Sequence, residues 1–373
     1  MSLKQKIIFY FSNFLDRSKN LNTLNFSEKN LFFLLCFLEK NYLFFFKLIE
    51  IFKKKYGNKK VNFKVISVGN ISVGGTGKSV FVQFLIKNLK QNAAVISRGY
   101  GANLKNNLIV SDGNKIFYPA EVVGDEPFMI ADKLNVPVVV GKNRLKSVDH
   151  LENYFNKETI NKKNNFPSFI ILDDSYQNFS LKKDFEILLL DARKPFENGH
   201  CLPAGKLREK DISRADVIIF SHSDKISEKN LNNFSKIPVF YGQHKVSNLL
   251  HLNKKNIDIK SFVSKKTLAF AGIGNFNYFI QSIKTLNLNI TKEIEYPDHY
   301  KFSEQDLKYI LNSFKKNNCD CVITTSKDWV KVLPLLKTIK NWQALPIYVL
   351  EIEFAFLTDS ERIRFLSLIE NIF

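Results

Sequence analysis

The stretch that most restricts the fold is Val68 to Leu89, VGNISVGGTGKSVFVQFLIKNL, which reads as the end of a strand, a glycine-rich turn and a helix in immediate succession. Val65, Ile66 and Val68 make a short apolar strand, while Phe81, Phe84, Leu85 and Leu89 recur at helical spacing on one face. Both periods are met by a βα unit. Between its two elements, Gly74, Gly75 and Gly77 remove the side chains that would keep an anion away from backbone N–H groups and from the positive end of the helix. The turn Ser72-Val73-Gly74-Gly75-Thr76-Gly77-Lys78-Ser79 therefore has the form of a phosphate-binding loop. In that motif the lysine reaches the terminal phosphates of ATP and the hydroxyl after it ligates Mg²⁺, which are the roles expected of Lys78 and Ser79. The strict pattern has glycine six residues before the lysine, where this chain has Ser72. The competing reading is a glycine turn with no ligand.

Short apolar runs continue beyond this unit. Ala93–Ser97, Val136–Val140, Phe169–Leu172, Ile187–Leu190 and Val217–Phe220 lack alternation, as expected of strands buried on both faces of a parallel sheet. The fold class follows: α/β, a P-loop doubly wound parallel sheet that takes its ligands at the carboxyl ends of the strands. A polar stretch around Asn253–Lys260 marks a boundary, and Thr267–Gly274, Cys321–Thr325 and Ile347–Ile352 read as strands of a second, smaller α/β domain. At 373 residues the chain exceeds the ~250–300 at which single cores stop growing. The expected division is 1–60, 61–255 and 256–373. The run 156–165 reads as a solvated loop.

Residues 1–60 carry 12 basic and 4 acidic side chains together with the run LFFLLCFLEKNYLFFFKLIEIF from Leu31 to Phe52. Glu39, Lys40, Lys47 and Glu50 interrupt that run, so it does not reach the roughly 18–20 uncharged residues of a spanning helix. Two basic amphipathic helices on a membrane surface use both features, with Lys53, Lys54, Lys55, Lys59 and Lys60 on anionic headgroups. The alternative is a helical hairpin packed on the protein. The net charge of +19 favours anionic partners generally, though no nucleic-acid module accompanies it. An AT-rich coding bias that places Lys on any solvated face explains the same charge. Four cysteines, Cys36, Cys201, Cys319 and Cys321, show no metal-ligand spacing; only Cys319-x-Cys321 comes close, its strand alternation favours buried thiols, and a reduced, cytosolic compartment fits.

Phe169-Ile-Ile-Leu-Asp173-Asp174 is an apolar strand ending in two carboxylates, the arrangement that completes a Mg²⁺ shell beside a P-loop; an alternative is that the pair caps a helix. Other strand ends carry charge: Ser97-Arg98-Gly99-Tyr100-Gly101, Gly124-Asp125-Glu126-Pro127, Lys142-Asn143-Arg144, and Asn198 through Arg208-Glu209. These supply arginines for anionic groups and a carboxylate for a base, and each taken alone also fits a solvated loop. Pro297-Asp298-His299-Tyr300 adds a histidine, and Thr324-Thr325-Ser326-Lys327-Asp328 ends a further strand.

From about Val65 to Lys331 the order of these blocks, VGN…VGGTGK, SRGYG, GDEP, LDD-x-x-Q, NG…LPAG-x-LRE, DHY-x-F and TT-x-KD, resembles the tetraacyldisaccharide 4′-kinases, or lipid A 4′-kinases, of Gram-negative bacteria. The resemblance implies a membrane-associated enzyme that transfers the ATP γ-phosphate, with Mg²⁺, to the 4′-hydroxyl of a tetraacylated glucosamine disaccharide 1-phosphate. It places the chain on the cytoplasmic face of the inner membrane, with a lipid substrate and an anionic membrane surface as partners. Carried over by position, Lys78 and Ser79 match the nucleotide and metal positions, and Asp173 and Asp174 the acidic pair. Asp125 and His299 match the pair that activates the hydroxyl. Arg98, Arg144, Gln177, Asn198 and Arg208 are the candidate substrate contacts. The family's DDGFQH is here Asp173-Asp174-Ser175-Tyr176-Gln177-Asn178, TTEKD is TTSKD with Ser326, and the proline usual after the P-loop hydroxyl is Val80. A P-loop switch or synthetase without lipid kinase activity is the alternative function, and a switch needs neither Asp125 nor His299.

Overall fold

The computed structural model describes residues 3–373 except 90, 100–103, 105, 159–165, 226–233, 235, 252–255, 258, 299, 341, 343 and 344. Strand β1 (Lys64–Gly69) lies between the parallel strands β5 (Phe169–Asp173) and β6 (Phe185–Asp191). Beyond β5 come β2 (Ala93–Ser97), β4 (Pro137–Val140) and the antiparallel edge β3 (Leu108–Asp112). Beyond β6 come β7 (Val217–Ser221) and β8 (Val239–His251). Alternate residues of the apolar runs go to opposite faces, as the two-residue strand period requires. Ile66, Val68, Phe169 and Ile171 join one core cluster, while Val65, Ile170 and Leu172 join the other. Helices α3 (Lys78–Asn88) and α5 (Asp125–Leu134) cover the first face, with the short α4 (Ala120–Val123) preceding α5. On the second face lies α6 (Arg144–Glu158), which extends helix into the first residues of the expected loop at 156–165.

The two parts of the sheet are joined by one strand that ends just ahead of the expected polar boundary. Val239–Tyr241 of β8 runs parallel to β7, and from Gly242 onward the same strand pairs antiparallel with β13 (Ile347–Phe356). Gly242 allows this crossing, because a Cβ there would lie 2.1 Å from the Phe354 ring. The second half continues the sheet with β12 (Cys321–Thr325), β10 (Lys266–Ala271) and the edge β11 (Asn289–Glu295), while the short β9 (Asn256–Ile257) pairs off β8. Its helices are α7 (Phe276–Lys284), α8 (Glu304–Lys316) and α9 (Ser326–Leu336). The last helix, α10 (Asp359–Glu370), returns to the first half, where Phe365 meets Phe81 and Phe240 at centroid distances of 5.7 and 5.4 Å.

The N-terminal segment forms α1 (Leu3–Arg17) and the 31-residue α2 (Phe26–Tyr56), which opens with a capping box between Asn25 and Glu28. Phe14, Leu15, Phe32 and Leu35 pack around Ala204. The charges that break up the apolar run are partly an anchoring device: Glu39 and Glu50 are buried on the docked face. Glu50 pairs with Lys54 and Arg214, and Glu39 with His200 and Lys210. The opposite face presents Phe33, Phe37, Phe44, Phe45, Ile51 and Phe52 to the outside, each more than half exposed. The segment thus packs as a hairpin on one side and leaves an apolar stripe on the other. Among the described residues, no helix is long and apolar enough to cross a membrane.

Candidate active site

The glycine-rich turn leaves β1 and runs beside the 205–209 loop. Val73 N–H donates to Lys206 O at 2.8 Å, Arg208 N–H donates to Ile71 O at 2.7 Å, and Ser72 bridges Leu207. Ser221 Oγ, at the end of β7, donates to Thr76 O at 2.9 Å. Gly77 ends the turn in the left-handed region, φ +80°, and a Cβ on it would lie 2.1 Å from the His244 imidazole. The loop is held from both flanks and from beneath. By contrast, a Cβ at Gly74 or Gly75 would meet nothing within 4 Å, so the concave side of the turn is open. The amino end of α3 adjoins that space with Gly77 giving it no side-chain cap, and a helix start of this kind is a ready cradle for polyphosphate.

Charged groups converge at its edge. Lys78 Nζ lies 3.4 Å from Asp174 Oδ1. Arg208 Nη1 holds the same carboxylate at 3.1 and 3.3 Å and donates to Gln177 Oε1 at 3.1 Å. Gln177 Nε2 in turn donates to Glu209 Oε1 and Asn70 O, both at 2.9 Å. Asp173 is buried at the end of β5; Ser97 Oγ donates to its Oδ2 at 3.2 Å, and its Oδ1 has no hydrogen-bond partner. Burial, then the neighbouring Glu126 and Asp174 charges, push its carboxyl up to about 7. Burial also opposes ionisation of Asp174, but Lys78 and Arg208 outweigh it and hold that carboxyl below its ordinary range. Ser79 Oγ donates to Glu126 Oε2 at 2.9 Å. The Asp pair leads into a turn rather than a helix, with Asp174 itself at φ +50°.

The first turn of α5 connects this cluster to the second half of the chain. Asp125 is the first residue of α5, and its Oδ2 lies 3.8 Å from Lys331 Nζ on α9. Lys327, also on α9, sits 3.2 Å from Glu126 Oε1 and 3.7 Å from Asp298 Oδ1. Thr325 caps α9 by accepting from Asp328 N–H, and buried Asp328 accepts from Gly272 N–H and pairs with Lys331 at 2.9 Å. The TT-x-KD block therefore reads as a helix start that aims two lysines at α5.

Lys78, Ser79, Asp173, Asp174, Gln177 and Arg208 thus come together, with Asp125 at the border. Arg144 is buried, its Nη1 donating to Gly141 O at 2.7 Å and its Nη2 to Asp173 O at 3.2 Å, so it braces two strand ends. Asn198 Nδ2 donates to Ala204 O and Ser18 Oγ, tying the loop to α1. Arg98 is exposed beyond β2. His299 lies outside the described residues, next to the Asp298 that Lys327 contacts. Glu126, Glu209, Lys327 and Lys331 received no role from the sequence. Glu126 was legible as the second carboxylate of the GDEP block; the lysines gave no signal apart from their place in a helix.

A P-loop whose lysine faces the acidic end of the neighbouring strand, with a second α/β unit supplying cations from across the cleft, defines a P-loop phosphotransferase. The profile of the tetraacyldisaccharide-1-P 4′-kinase family, LpxK, matches residues 31–370, and the chain belongs to that family. The tetraacyldisaccharide 4′-kinase of Halothermothrix orenii is 32% identical over 335 residues, 82% of this chain and 84% of the relative. That of Desulfatibacillum aliphaticivorans is 34% identical over 310 residues, 78% and 79% of the two chains. The crystal structure of LpxK from Aquifex aeolicus in complex with ATP superposes with a TM-score of 0.68 at 28% identity, covering 91% of this chain and 97% of that one. The function is that of an ATP-dependent kinase of lipid A biosynthesis.

Proposed function

We propose that the cluster at the P-loop transfers the γ-phosphate of ATP to the 4′-hydroxyl of a tetraacylated disaccharide 1-phosphate with the help of Mg²⁺, at the cytoplasmic face of the bacterial inner membrane. The observation that carries the reading is the open cradle at Gly74 and Gly75 with Lys78, Ser79, Asp173, Asp174 and Glu126 converging on its edge. The donor set fits a hard divalent cation, being oxygen throughout, with one buried Asp173 oxygen lacking a partner. Ser79 and Asp173 would hold the ion, with Asp174 and Glu126 beside them; bound there, it neutralises phosphate charge. Residues 72–79 supply backbone N–H groups to the phosphates, and Lys78 exchanges its Asp174 partner for phosphate oxygens. Arg208 keeps Asp174 in place during that exchange.

The acceptor proton goes to the Asp125 carboxylate at the rim of the cleft, with His299 as its partner from the second half. Gln177 and Arg208, with exposed Arg98, make up the polar wall on the sugar side, while buried Arg144 braces the strand ends beneath it and Asn198 holds the neighbouring loop to the end of α1. We read the chain as three working units, 1–60, 61–255 and 256–373, the last two joined by the β8–β13 ribbon. The apolar stripe of α2, with Lys53–Lys55, Lys59 and Lys60 near its end, suits a peripheral seat on an anionic membrane from which a lipid is drawn. The test is incubation of purified protein with γ-labelled ATP and the tetraacyldisaccharide 1-phosphate in mixed micelles, followed by lipid separation. Label in the lipid that disappears with Lys78→Ala is the expected result. Release of inorganic phosphate with no labelled lipid refutes the reading in favour of a nucleotide switch.

A further inference from the structure

Away from the P-loop, three potential metal ligands from distant parts of the chain meet where α2 docks. Cys36 and Glu39 stand one turn apart on α2, and His200 belongs to the loop that leads to the P-loop wall. One ligand atom from each lies within 4.8 Å of the other two. His200 Nδ1 is 2.8 Å from Glu39 Oε2 and 3.9 Å from Cys36 Sγ. From this convergence we propose that Cys36, Glu39 and His200 form a site for a zinc-type transition-metal ion, with water completing a tetrahedral shell.

Four features of the surroundings suit the role. The ligands sit on rigid supports, because α2 is capped and docked, and the loop is braced by Asn198 Oδ1 accepting from His200 N–H at 3.3 Å. The second Glu39 oxygen accepts from Cys201 N–H at 2.6 Å, which orients the carboxylate and leaves Oε2 to turn toward the other ligands. The Phe32 ring meets the imidazole edge-on at 5.2 Å and limits its rotation. Thiolate with imidazole and carboxylate is also the chemistry that selects zinc over Mg²⁺, so millimolar Mg²⁺ leaves the site free. Zn–S and Zn–N or Zn–O bonds of about 2.3 and 2.0–2.2 Å at tetrahedral angles require His200 Nδ1 and Glu39 Oε2 to part by roughly half an ångström and Cys36 Sγ to close on Nδ1 by about as much.

Lys210 is the nearest cation, 3.4 Å from Glu39 Oε1, the oxygen not offered to the metal, and it is half-exposed and able to swing away. Binding releases the Cys36 thiol proton to solvent and takes His200 through Nδ1 with a ring proton on Nε2, so the two anionic ligands balance the divalent ion. The ion then bolts α2, which carries the apolar stripe, to the loop that backs the phosphate cradle.

The experiment uses the full chain, stripped with EDTA and returned to Mg²⁺ buffer. Cobalt(II) is added first and followed by its thiolate charge-transfer band in the near ultraviolet, then Zn²⁺ is titrated against a chromophoric chelator. One equivalent of each is expected to bind. Cys36→Ser should abolish the band and weaken Zn²⁺ binding by about tenfold or more, and Cys321→Ser should change neither. Should Cys36→Ser fail to fold, His200→Gln at a half-exposed position must show the same loss of Zn²⁺ affinity. No charge-transfer band in the unmodified chain, or a band that survives Cys36→Ser, overturns the proposal and leaves Glu39–His200 as a hydrogen-bonded clasp.

Discussion

Two glycines of the same turn should respond to alanine in opposite ways, because one faces a protein wall and the other faces open space. At Gly77 the backbone is left-handed, which costs an alanine about 1–2 kcal/mol, and the new methyl would sit 2.1 Å from the His244 imidazole. Moving that imidazole adds a steric cost of about 1–3 kcal/mol, so Gly77→Ala should lose roughly 2–5 kcal/mol of folding stability without any ligand. Gly75 has no left-handed strain and no neighbour within 4 Å. Gly75→Ala should therefore fold as well as the parent or up to about 1 kcal/mol better, since alanine restricts the unfolded chain. Its cost falls on nucleotide. A methyl in the cradle displaces at least one phosphate oxygen from a backbone N–H, worth about 1.5–3 kcal/mol, or roughly 10- to 100-fold in ATP affinity.

Urea unfolding without nucleotide, and ATP titration by calorimetry, separate the two effects. The steric part has its own control: adding His244→Ala to Gly77→Ala should make the combined loss smaller than the sum of the singles, leaving the backbone cost behind. The reasoning fails if Gly75→Ala unfolds as easily as Gly77→Ala, or if it binds ATP with parental affinity.

Asp173→Asn and Asp174→Asn should each raise the Mg²⁺ concentration for half-maximal lipid phosphorylation, and an unchanged titration in both would remove them from the metal site. The buried His222, pushed down to about 4 by burial, has a folded pKa below its unfolded one. Its contribution to stability is thus full above about pH 6.5 and is lost as pH falls from there through 4, by an upper bound of ~3 kcal/mol. His222→Asn should flatten the dependence of urea midpoint on pH over that window, and an identical slope in parent and variant would contradict the assignment. Replacing Phe37, Phe44, Phe45 and Phe52 together by Ser should reduce co-sedimentation with anionic liposomes by about 100-fold or more, at about 1 kcal/mol per half-immersed ring, while leaving circular dichroism unchanged. Undiminished sedimentation would place membrane contact elsewhere.

How legible each part was depended on how local its cause is. Strands β1, β2, β4, β5, β6 and β7 were visible because burial on both faces writes an uninterrupted apolar run. The P-loop was visible because glycine, lysine and hydroxyl serve one ligand within eight residues. Strand β8 was not, since it changes partners at Gly242 and carries Gln243, His244 and Lys245 where its surroundings change. The edge strands β3 and β11 were missed for a related reason, being short or alternating with polar residues on an open side. Glu39 and Glu50 looked like interruptions of an apolar helix, and only the docked face shows that they anchor it. Cys36 and His200 are 164 residues apart, beyond any spacing rule.

The placement of the acidic residues explains why the second half belongs to the site at all. Ser79 of the P-loop donates to Glu126, Glu126 pairs with Lys327, and Lys327 reaches Asp298 beside His299, so three contacts lead from the cradle to the DHY turn. Burial raises the Glu126 carboxyl's pKa, but Lys327, Ser79 and Lys78 outweigh it and keep the group ionised. A ligand that draws Ser79 or Lys78 away from this network changes what Glu126 offers Lys327, and hence what Lys327 offers Asp298. The coupling is electrostatic and short-ranged, its contacts all within 4 Å and so well inside the screening length. It needs no movement of the sheet, because β8 and β13 already hold both halves in one register. The P-loop and the electrostatic setting of Asp298 are thereby linked through α5, whose first turn touches Ser79 on one side and Lys327 on the other.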